Sequence, residues 1–231
     1  MRVNWFLMLA CVLASLYAWQ VASTPQGADW VDQNLVFSLD NLTAGRIWTL
    51  VTALFVHASG AHLLGNLPFL FVFGNTLEKM IGRSNHLLVF FLGGFTSFLL
   101  PPVLGIYSSD TGMLGASAAI FTQAACVMLM SPLKFSWLFL APQGLVAIIY
   151  FTLNAIIVTR PDLLGQGLVP DQNIAYVAHV IGFTVGVPFG IAWSQKWRKN
   201  LVITLGLFGL YIVILFVLAA ILGTKLPFGV F

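Results

Sequence analysis

One serine, two histidines and one asparagine in this sequence have the types and spacing that acyl-transfer chemistry needs. Ser117 stands in the small-residue segment Gly-Ala-Ser-Ala at positions 115–118, and His179 lies in a later apolar segment. A serine hydroxyl becomes a nucleophile when a neighbouring base takes its proton, and histidine is the usual base near neutral pH. His62 and Asn66, together with the backbone N–H of Ser117, could then stabilise the oxyanion of the intermediate.

Each of these residues also has a structural interpretation when it is considered alone. Serine in a membrane helix commonly bonds its own backbone, and a single His or Asn often only links two helices. Polar residues at membrane depth are nevertheless costly, and they are a functional hypothesis by default. The prediction therefore depends on the combination, and on helices that bring the residues together.

The composition indicates an integral membrane protein. Of the 231 residues, 59% are hydrophobic and 7% are charged, whereas about 25% are charged in soluble domains. The net charge of +3 comes from Lys and Arg scattered at the ends of apolar segments, which does not indicate a nucleic-acid partner. The two cysteines, Cys11 and Cys126, each lie inside an apolar segment, so they do not form a disulfide framework.

Seven apolar segments are predicted to cross the membrane as helices, because a span needs about 20 residues. They cover residues 3–22, 62–80, 86–104, 115–131, 137–158, 173–193 and 201–222. The first segment resembles a signal peptide, and we predict that it is retained as a helix. The connection 23–61 is predicted to fold back onto the interface as short helices, and the connection 159–172 to act as a lid.

The basic residues predict the orientation. With the N-terminus in the cytoplasm, seven Lys and Arg residues lie inside and three lie outside, as the positive-inside rule requires. The second, fourth and sixth spans then start at the outer face. At the rise of an α-helix, Ser117 lies roughly 3–5 Å and His179 roughly 9 Å below the starts of their helices, and Asn66 lies roughly 6 Å below His62. These polar groups converge in the outer third of the bilayer, and no comparable cluster is predicted in the inner half, which argues against a solute channel or transporter.

Small residues predict that the fourth and sixth spans approach closely. Gly182 and two further glycines recur at every fourth position after His179, and Gly115 and Ala118 offer a matching small surface beside Ser117. Generic tight packing explains the same pattern equally well. Phe121, one turn after Ser117, either lies under the His179 ring or is only part of the core.

No carboxylate is predicted near enough to complete a catalytic triad. Glu78 lies roughly 18 Å deeper than Asn66, and Asp110 lies in a loop. We therefore expect a Ser–His dyad whose imidazole is oriented by packing or backbone. The sequence has no His-Glu-x-x-His motif and no pair of mid-membrane aspartates, so metal-dependent and aspartyl mechanisms fit less well.

Four motifs in this order resemble the rhomboid intramembrane serine proteases between about residues 48 and 190. The motifs are His-Ala-Ser-Gly-Ala-His-Leu-Leu-Gly-Asn at 57–66, Glu-Lys-Met-Ile-Gly at 78–82, Gly-Ala-Ser-Ala at 115–118 and Ala-His-Val-Ile-Gly-Phe-Thr-Val-Gly at 178–186. The resemblance implies an all-α membrane protein with a rhomboid-like six-helix transmembrane core in residues 1–200. Residues 201–231 would then hold an additional C-terminal transmembrane helix and a short tail.

The resemblance also implies a function. Ser117 would be the nucleophile, His179 the general base, and His62 and Asn66 the oxyanion site, with the active site opening to the extracytoplasmic side. The implied substrates are single-span membrane proteins, which are cleaved near the outer face of the membrane. Membrane lipids are the other implied partners. The reaction would need no metal and no organic cofactor.

Three features depart from the family pattern. The Trp-Arg pair that is common in the family's first outer loop is replaced here by Trp48-Thr49, with Arg46 nearby. Ala118 stands where the family usually has Gly, and Phe121 stands where it often has Tyr. Gly115, Ala118, Phe121 and Gly182 are predicted to support the packing of the site. The alternative function is that of a catalytically weak or inactive rhomboid-like protein that binds membrane proteins for quality control or trafficking. Such relatives typically lack the Ser or the His, and this chain has both.

Overall fold

Nearly all regular structure is helical in the computed structural model, which describes residues 2–159 and 175–222. In chain order the helices are α1 (Val3–Val21), α2 (Pro25–Leu35), α3 (Leu39–Thr43), α4 (Thr49–Thr52), α5 (Gly60–Phe69), α6 (Asn75–Ile81), α7 (Arg83–Val103), α8 (Ser117–Met130), α9 (Gln143–Thr159), α10 (Tyr176–Trp193) and α11 (Trp197–Leu222). By length and composition, α1, α7, α10 and α11 can each cross a membrane, and α8 and α9 are shorter apolar helices. The protein therefore has the all-α membrane fold that the sequence predicts.

Three short helices, α2 to α4, occupy the connection between α1 and α5, where the sequence predicts short interfacial helices. The side chains of Thr24 and Ser38 cap α2 and α3, since they accept hydrogen bonds from the backbone N–H groups of Gly27 and Asn41. Exposed apolar side chains such as Trp48 remain on this segment. Amphipathic helices of this kind suit the boundary between water and lipid.

The second predicted span is continuous but is not uniformly α-helical. A π-helical segment, Leu70–Gly74, joins α5 to α6. Pro68 lies in the last turn of α5, where it has no N–H to donate to the preceding turn, and a change of hydrogen-bond pattern accommodates the loss. The second span ends with α6 at Gly82, whose φ of +80° suits glycine.

The predicted fifth span, residues 137–158, is wrong in its first turn and a half. Residues Phe135–Ser136 and Ala141–Pro142 form the two antiparallel strands of a short hairpin, β1 and β2, and α9 begins only at Gln143. Apolar composition alone does not distinguish a hairpin from a helix start. Pro142 marks the boundary, because a proline directly before a helix disfavours helical backbone in the residue that precedes it.

Helix α8 lies at the centre of the molecule and is buried along its length from Ser117 to Leu129. Its 14 residues span about 21 Å, less than the roughly 30 Å of a bilayer core, so a residue at its start can lie below the membrane surface. His86, in the first turn of α7, is also fully buried.

Candidate active site

Ser117 and His179 are brought into direct contact by α8 and α10. Ser117 is the first residue of α8, and its Oγ lies 2.6 Å from Nε2 of His179, in the first turn of α10. Both residues are 6% exposed. This distance suits proton transfer between a hydroxyl and an imidazole.

Asn154 of α9 contacts the other nitrogen of the same ring. Its Oδ1 lies 2.7 Å from Nδ1 of His179, and its Nδ2 donates a 2.8 Å hydrogen bond to the carbonyl oxygen of Tyr150. Asn154 is not among the site residues predicted from the sequence, because only carboxylates were considered as the third member of a catalytic triad. A costly amide side chain near the end of the fifth predicted span was the available signal.

Glycines on α10 allow its backbone to touch that of α8. A Cβ on Gly182 would overlap the carbonyl oxygen of Ala118, and one on Gly186 would overlap that of Thr122. The hydroxyl of Thr122 lies 2.8 Å from the carbonyl oxygen of Gly182, which adds a hydrogen bond between the helices. This close approach holds the Ser117 and His179 backbones near enough for their side chains to meet.

Phe121 lies under the His179 ring, as one of its two interpretations from the sequence requires. The two rings are nearly parallel, with centroids 4.8 Å apart and 20° between the planes. The Phe121 ring also stacks on Tyr150 of α9, with 4.0 Å between the two ring centroids. Phe121 is also fully buried, so it serves core packing and imidazole contact together.

The turn before α8 requires a glycine. Gly115 has a φ of +109°, and a Cβ there would lie 2.9 Å from Cε1 of His62. The Gly115 N–H donates a 2.7 Å hydrogen bond to the carbonyl oxygen of Ala53. The turn therefore places the His62 ring directly against the backbone that leads into Ser117.

His62 and Asn66 lie on one face of α5 and line a cavity of about 350 Å³ together with Ser117 and His179. One N–H of the Asn66 amide donates to the carbonyl oxygen of His62 at 3.1 Å, which leaves the other N–H for a second acceptor. The first N–H groups of α8 have no acceptor within their own helix. These donors surround the space into which Ser117 faces.

His57 lies in the connection between α4 and α5, outside the membrane-spanning helices. Its Nδ1 lies 3.1 Å from Oγ of Ser15 in α1, and its Nε2 lies 3.5 Å from the N–H of Ala116. Burial, with a smaller contribution from the nearby charge of His62, lowers the pKa of His57 to about 4. A neutral His57 thus links α1 to the turn before Ser117.

Two further buried polar side chains, Glu78 and Gln123, lie on the predicted inner half of their helices, where the sequence predicts no cluster comparable to that around Ser117. Glu78 accepts hydrogen bonds of 2.8 Å from the backbone N–H groups of Val3 and Asn4 at the start of α1. Gln123 of α8 is fully buried, and its amide has no hydrogen-bond partner among the described residues. Neither Glu78 nor Gln123 lines the cavity beside Ser117.

Two further expectations concern metals and the lid. Within residues 2–159 and 175–222, no three His, Cys, Asp or Glu side chains are grouped as a metal site would require. The connection 159–172, expected to act as a lid, falls almost entirely outside the described residues.

Comparison with known proteins adds evolutionary evidence to this geometry. A model of the Rhomboid domain matches residues 44–196 of the chain. The mitochondrial RHOMBOID-like protein 12 of Arabidopsis thaliana is 27% identical over 181 residues, which are 70% of this chain and 50% of that protein. Rhomboid protease GlpG of Haemophilus influenzae is 24% identical over 155 residues, which are 67% of this chain and 73% of that protein.

A shorter match is to the putative rhomboid protease YdcA of Bacillus subtilis. It is 32% identical over 96 residues, which are 40% of this chain and 45% of that protein. The chain therefore matches about half the length of the Arabidopsis and Bacillus relatives.

Proposed function

The chain belongs to the rhomboid family, and on that premise we propose that it is an intramembrane serine endopeptidase. The observation that carries the proposal is the 2.6 Å contact between Ser117 Oγ and His179 Nε2. A serine becomes a nucleophile only beside a base, and a buried pair at the start of a short central helix meets that requirement.

Acylation begins when Ser117 Oγ attacks the carbonyl carbon of the scissile peptide bond, while its proton passes to His179 Nε2. The resulting tetrahedral oxyanion is stabilised by His62, by the second N–H of Asn66 and by backbone N–H groups at the start of α8. The intermediate then collapses, the C–N bond breaks, and His179 gives its proton to the leaving amine.

Deacylation repeats these steps with water as the nucleophile. His179 takes a proton from the water as its oxygen attacks the ester carbonyl of the acyl-enzyme. Collapse of the second tetrahedral intermediate breaks the ester bond and returns the proton to Ser117 Oγ. Water reaches the ester through the cavity lined by His62 and Asn66.

The substrates we propose are single-span membrane proteins, cleaved near the outer face. A peptide bond at this depth is normally protected within a helix, so helix-weakening residues near the cut site favour cleavage. The excess of basic residues on the predicted inner side supports a cytoplasmic N-terminus and an active site that opens outward.

The test is cleavage of a single-span reporter by purified protein in liposomes, combined with labelling by a fluorophosphonate. Ser117→Ala and His179→Gln are each expected to lower cleavage at least about 1,000-fold. The matched control is Ser97→Ala, because Ser97 is a buried membrane serine whose hydroxyl donates to the carbonyl oxygen of Gly93 in its own helix.

Two results would contradict the proposal. One is cleavage by the Ser117→Ala protein at the wild-type rate. The other is a wild-type protein that binds the reporter but neither cleaves it nor reacts with the fluorophosphonate at Ser117, which would favour the non-enzymatic alternative.

A further inference from the structure

We propose that Asn154 is a positioning residue that holds the His179 imidazole in the tautomer with its proton on Nδ1, so that the unprotonated Nε2 faces Ser117. The inference rests on the proposed function, and it replaces the expected Ser–His dyad by a Ser–His–Asn arrangement. Three features of the described residues carry it: the orientation of the amide, the burial of the group and the symmetry of the aromatic stack.

The orientation of the Asn154 amide follows from its own helix. Its Nδ2 lies 2.8 Å from the carbonyl oxygen of Tyr150, and Oδ1 faces His179 Nδ1 at 2.7 Å. A carbonyl oxygen only accepts hydrogen bonds, so the atom beside it must be the amide nitrogen. The reversed amide would set two acceptor oxygens against each other. Oδ1 is therefore the atom that faces the imidazole.

The amide orientation determines the tautomer. An amide oxygen accepts only, so Nδ1 of His179 must carry a proton to satisfy the 2.7 Å contact with Asn154. In a neutral imidazole, Nε2 is then unprotonated and accepts from Ser117 Oγ at 2.6 Å. The other tautomer would direct a proton at the hydroxyl and would prevent His179 from acting as the base.

The aromatic stack by itself does not determine which of two orientations the His179 ring adopts. Contact with Phe121 restrains the plane of the His179 ring. A 180° rotation about the Cβ–Cγ bond of His179 leaves the ring in the same plane, so it preserves this contact. The rotation exchanges the edges of the imidazole and removes the nitrogen from Asn154. The bond to Asn154 thus selects one ring orientation, which packing alone leaves undetermined.

An amide suits this buried position better than a carboxylate. Asn154 and His179 are each 6% exposed, and a charged side chain in such surroundings is costly to desolvate. The amide oxygen orients the ring without burying a negative charge. Its dipole also points its negative end at the imidazolium that forms when His179 takes the Ser117 proton.

The test compares Asn154→Leu with Asn75→Leu. Leucine keeps the approximate volume and removes the acceptor. Asn75 is the matched control, because it is a buried membrane asparagine that makes the same hydrogen bond to the carbonyl four residues earlier, on Phe71. Its Oδ1 has no hydrogen-bond partner among the described residues.

In reporter cleavage, Asn154→Leu is expected to lower kcat by about 10- to 100-fold and to leave KM within about 2-fold. Asn75→Leu is expected to remain within about 2-fold of wild type in both constants. Equal kcat values for Asn154→Leu and the wild-type protein would overturn the inference.

A second readout does not require turnover. In protein with ¹⁵N-labelled histidine, the imidazole nitrogen shifts report which nitrogen carries the proton, and His179→Gln identifies the relevant signals. The wild-type protein is expected to show the Nδ1–H tautomer, and Asn154→Leu is expected to show a mixture. A wild-type proton on Nε2, or an unchanged spectrum in Asn154→Leu, would overturn the inference. Failure of Ser117 to react with the fluorophosphonate would instead count against the proposed protease, since the tautomer is measured independently.

Discussion

The His179 imidazole lies nearly parallel to the Phe121 ring, with 4.8 Å between the ring centroids. Phe121 also stacks on Tyr150, whose carbonyl oxygen accepts from Asn154. Tyr150 and Asn154, one turn apart on α9, therefore both support the His179 imidazole, Tyr150 through Phe121 and Asn154 directly. This arrangement makes α9 a direct part of the site, although the sequence assigned no functional residue to it.

Phe121→Leu is expected to lower the cleavage rate by about 3- to 10-fold, because an aromatic contact contributes about 0.5–1.5 kcal/mol beyond simple burial. The matched control is Phe90→Leu. Phe90 is also fully buried, but its ring contacts Phe55 and Phe91 rather than a histidine. The rate of reporter cleavage is the measurement, with thermal unfolding in parallel. A similar loss of activity in both variants would reduce Phe121 to a core residue.

Gly182→Ala is expected to abolish cleavage, with a loss of more than about 100-fold, and to lower the free energy of unfolding by about 1–3 kcal/mol. The new methyl would meet the Ala118 carbonyl, which is backbone, so α10 must move away from α8 and carry His179 with it. Gly206→Ala is the control, because a Cβ at Gly206 in α11 has nothing within 4 Å. An active Gly182→Ala protein would show that the helices can separate without harm to the site.

Ala118→Gly tests the departure from the family pattern. Since the Ser117–His179 contact is already 2.6 Å with alanine present, we expect the cleavage rate to change by less than about 3-fold. The free energy of unfolding is expected to fall by roughly 0.5–1 kcal/mol, because glycine loses more backbone freedom in a helix. Cleavage kinetics and denaturant unfolding measure the two effects. A rate increase above about 10-fold would show that the methyl of Ala118 limits catalysis.

Stability is expected to fall below neutral pH through His57. An unfolded histidine titrates near about 6.5, and burial lowers the pKa of folded His57 to about 4. As the pH falls between these values, the unfolded state binds the proton first, so the stability present above the unfolded pKa is lost progressively. The full loss is about 3 kcal/mol.

The measurement for His57 is thermal unfolding in detergent at pH 7 and pH 4.5, with His57→Gln as the comparison. Glutamine does not titrate, so the variant is expected to lose less stability between the two pH values than the wild-type protein. Equal losses would assign the acid sensitivity to other groups.

Much of the site was predictable because a membrane restricts how a chain can be arranged. Apolar segments must run as helices across the bilayer, and the rise per residue then sets how deep each polar side chain lies. Ser117 and His179 could therefore be paired from the sequence, and the glycines after His179 predicted the close helix contact.

The sequence by itself determined the membrane class, and it predicted the types and the depth of the candidate catalytic residues. Only the tertiary structure decided which helix faces meet, since depth says nothing about rotation or lateral position. For this reason Asn154, at the right place on α9, was missed, and the hairpin before Gln143 was mistaken for helix. Close packing between helices, such as the Gly182 backbone against that of Ala118, selects one rotation of each helix. That choice places three polar side chains from α8, α9 and α10 in one hydrogen-bonded line.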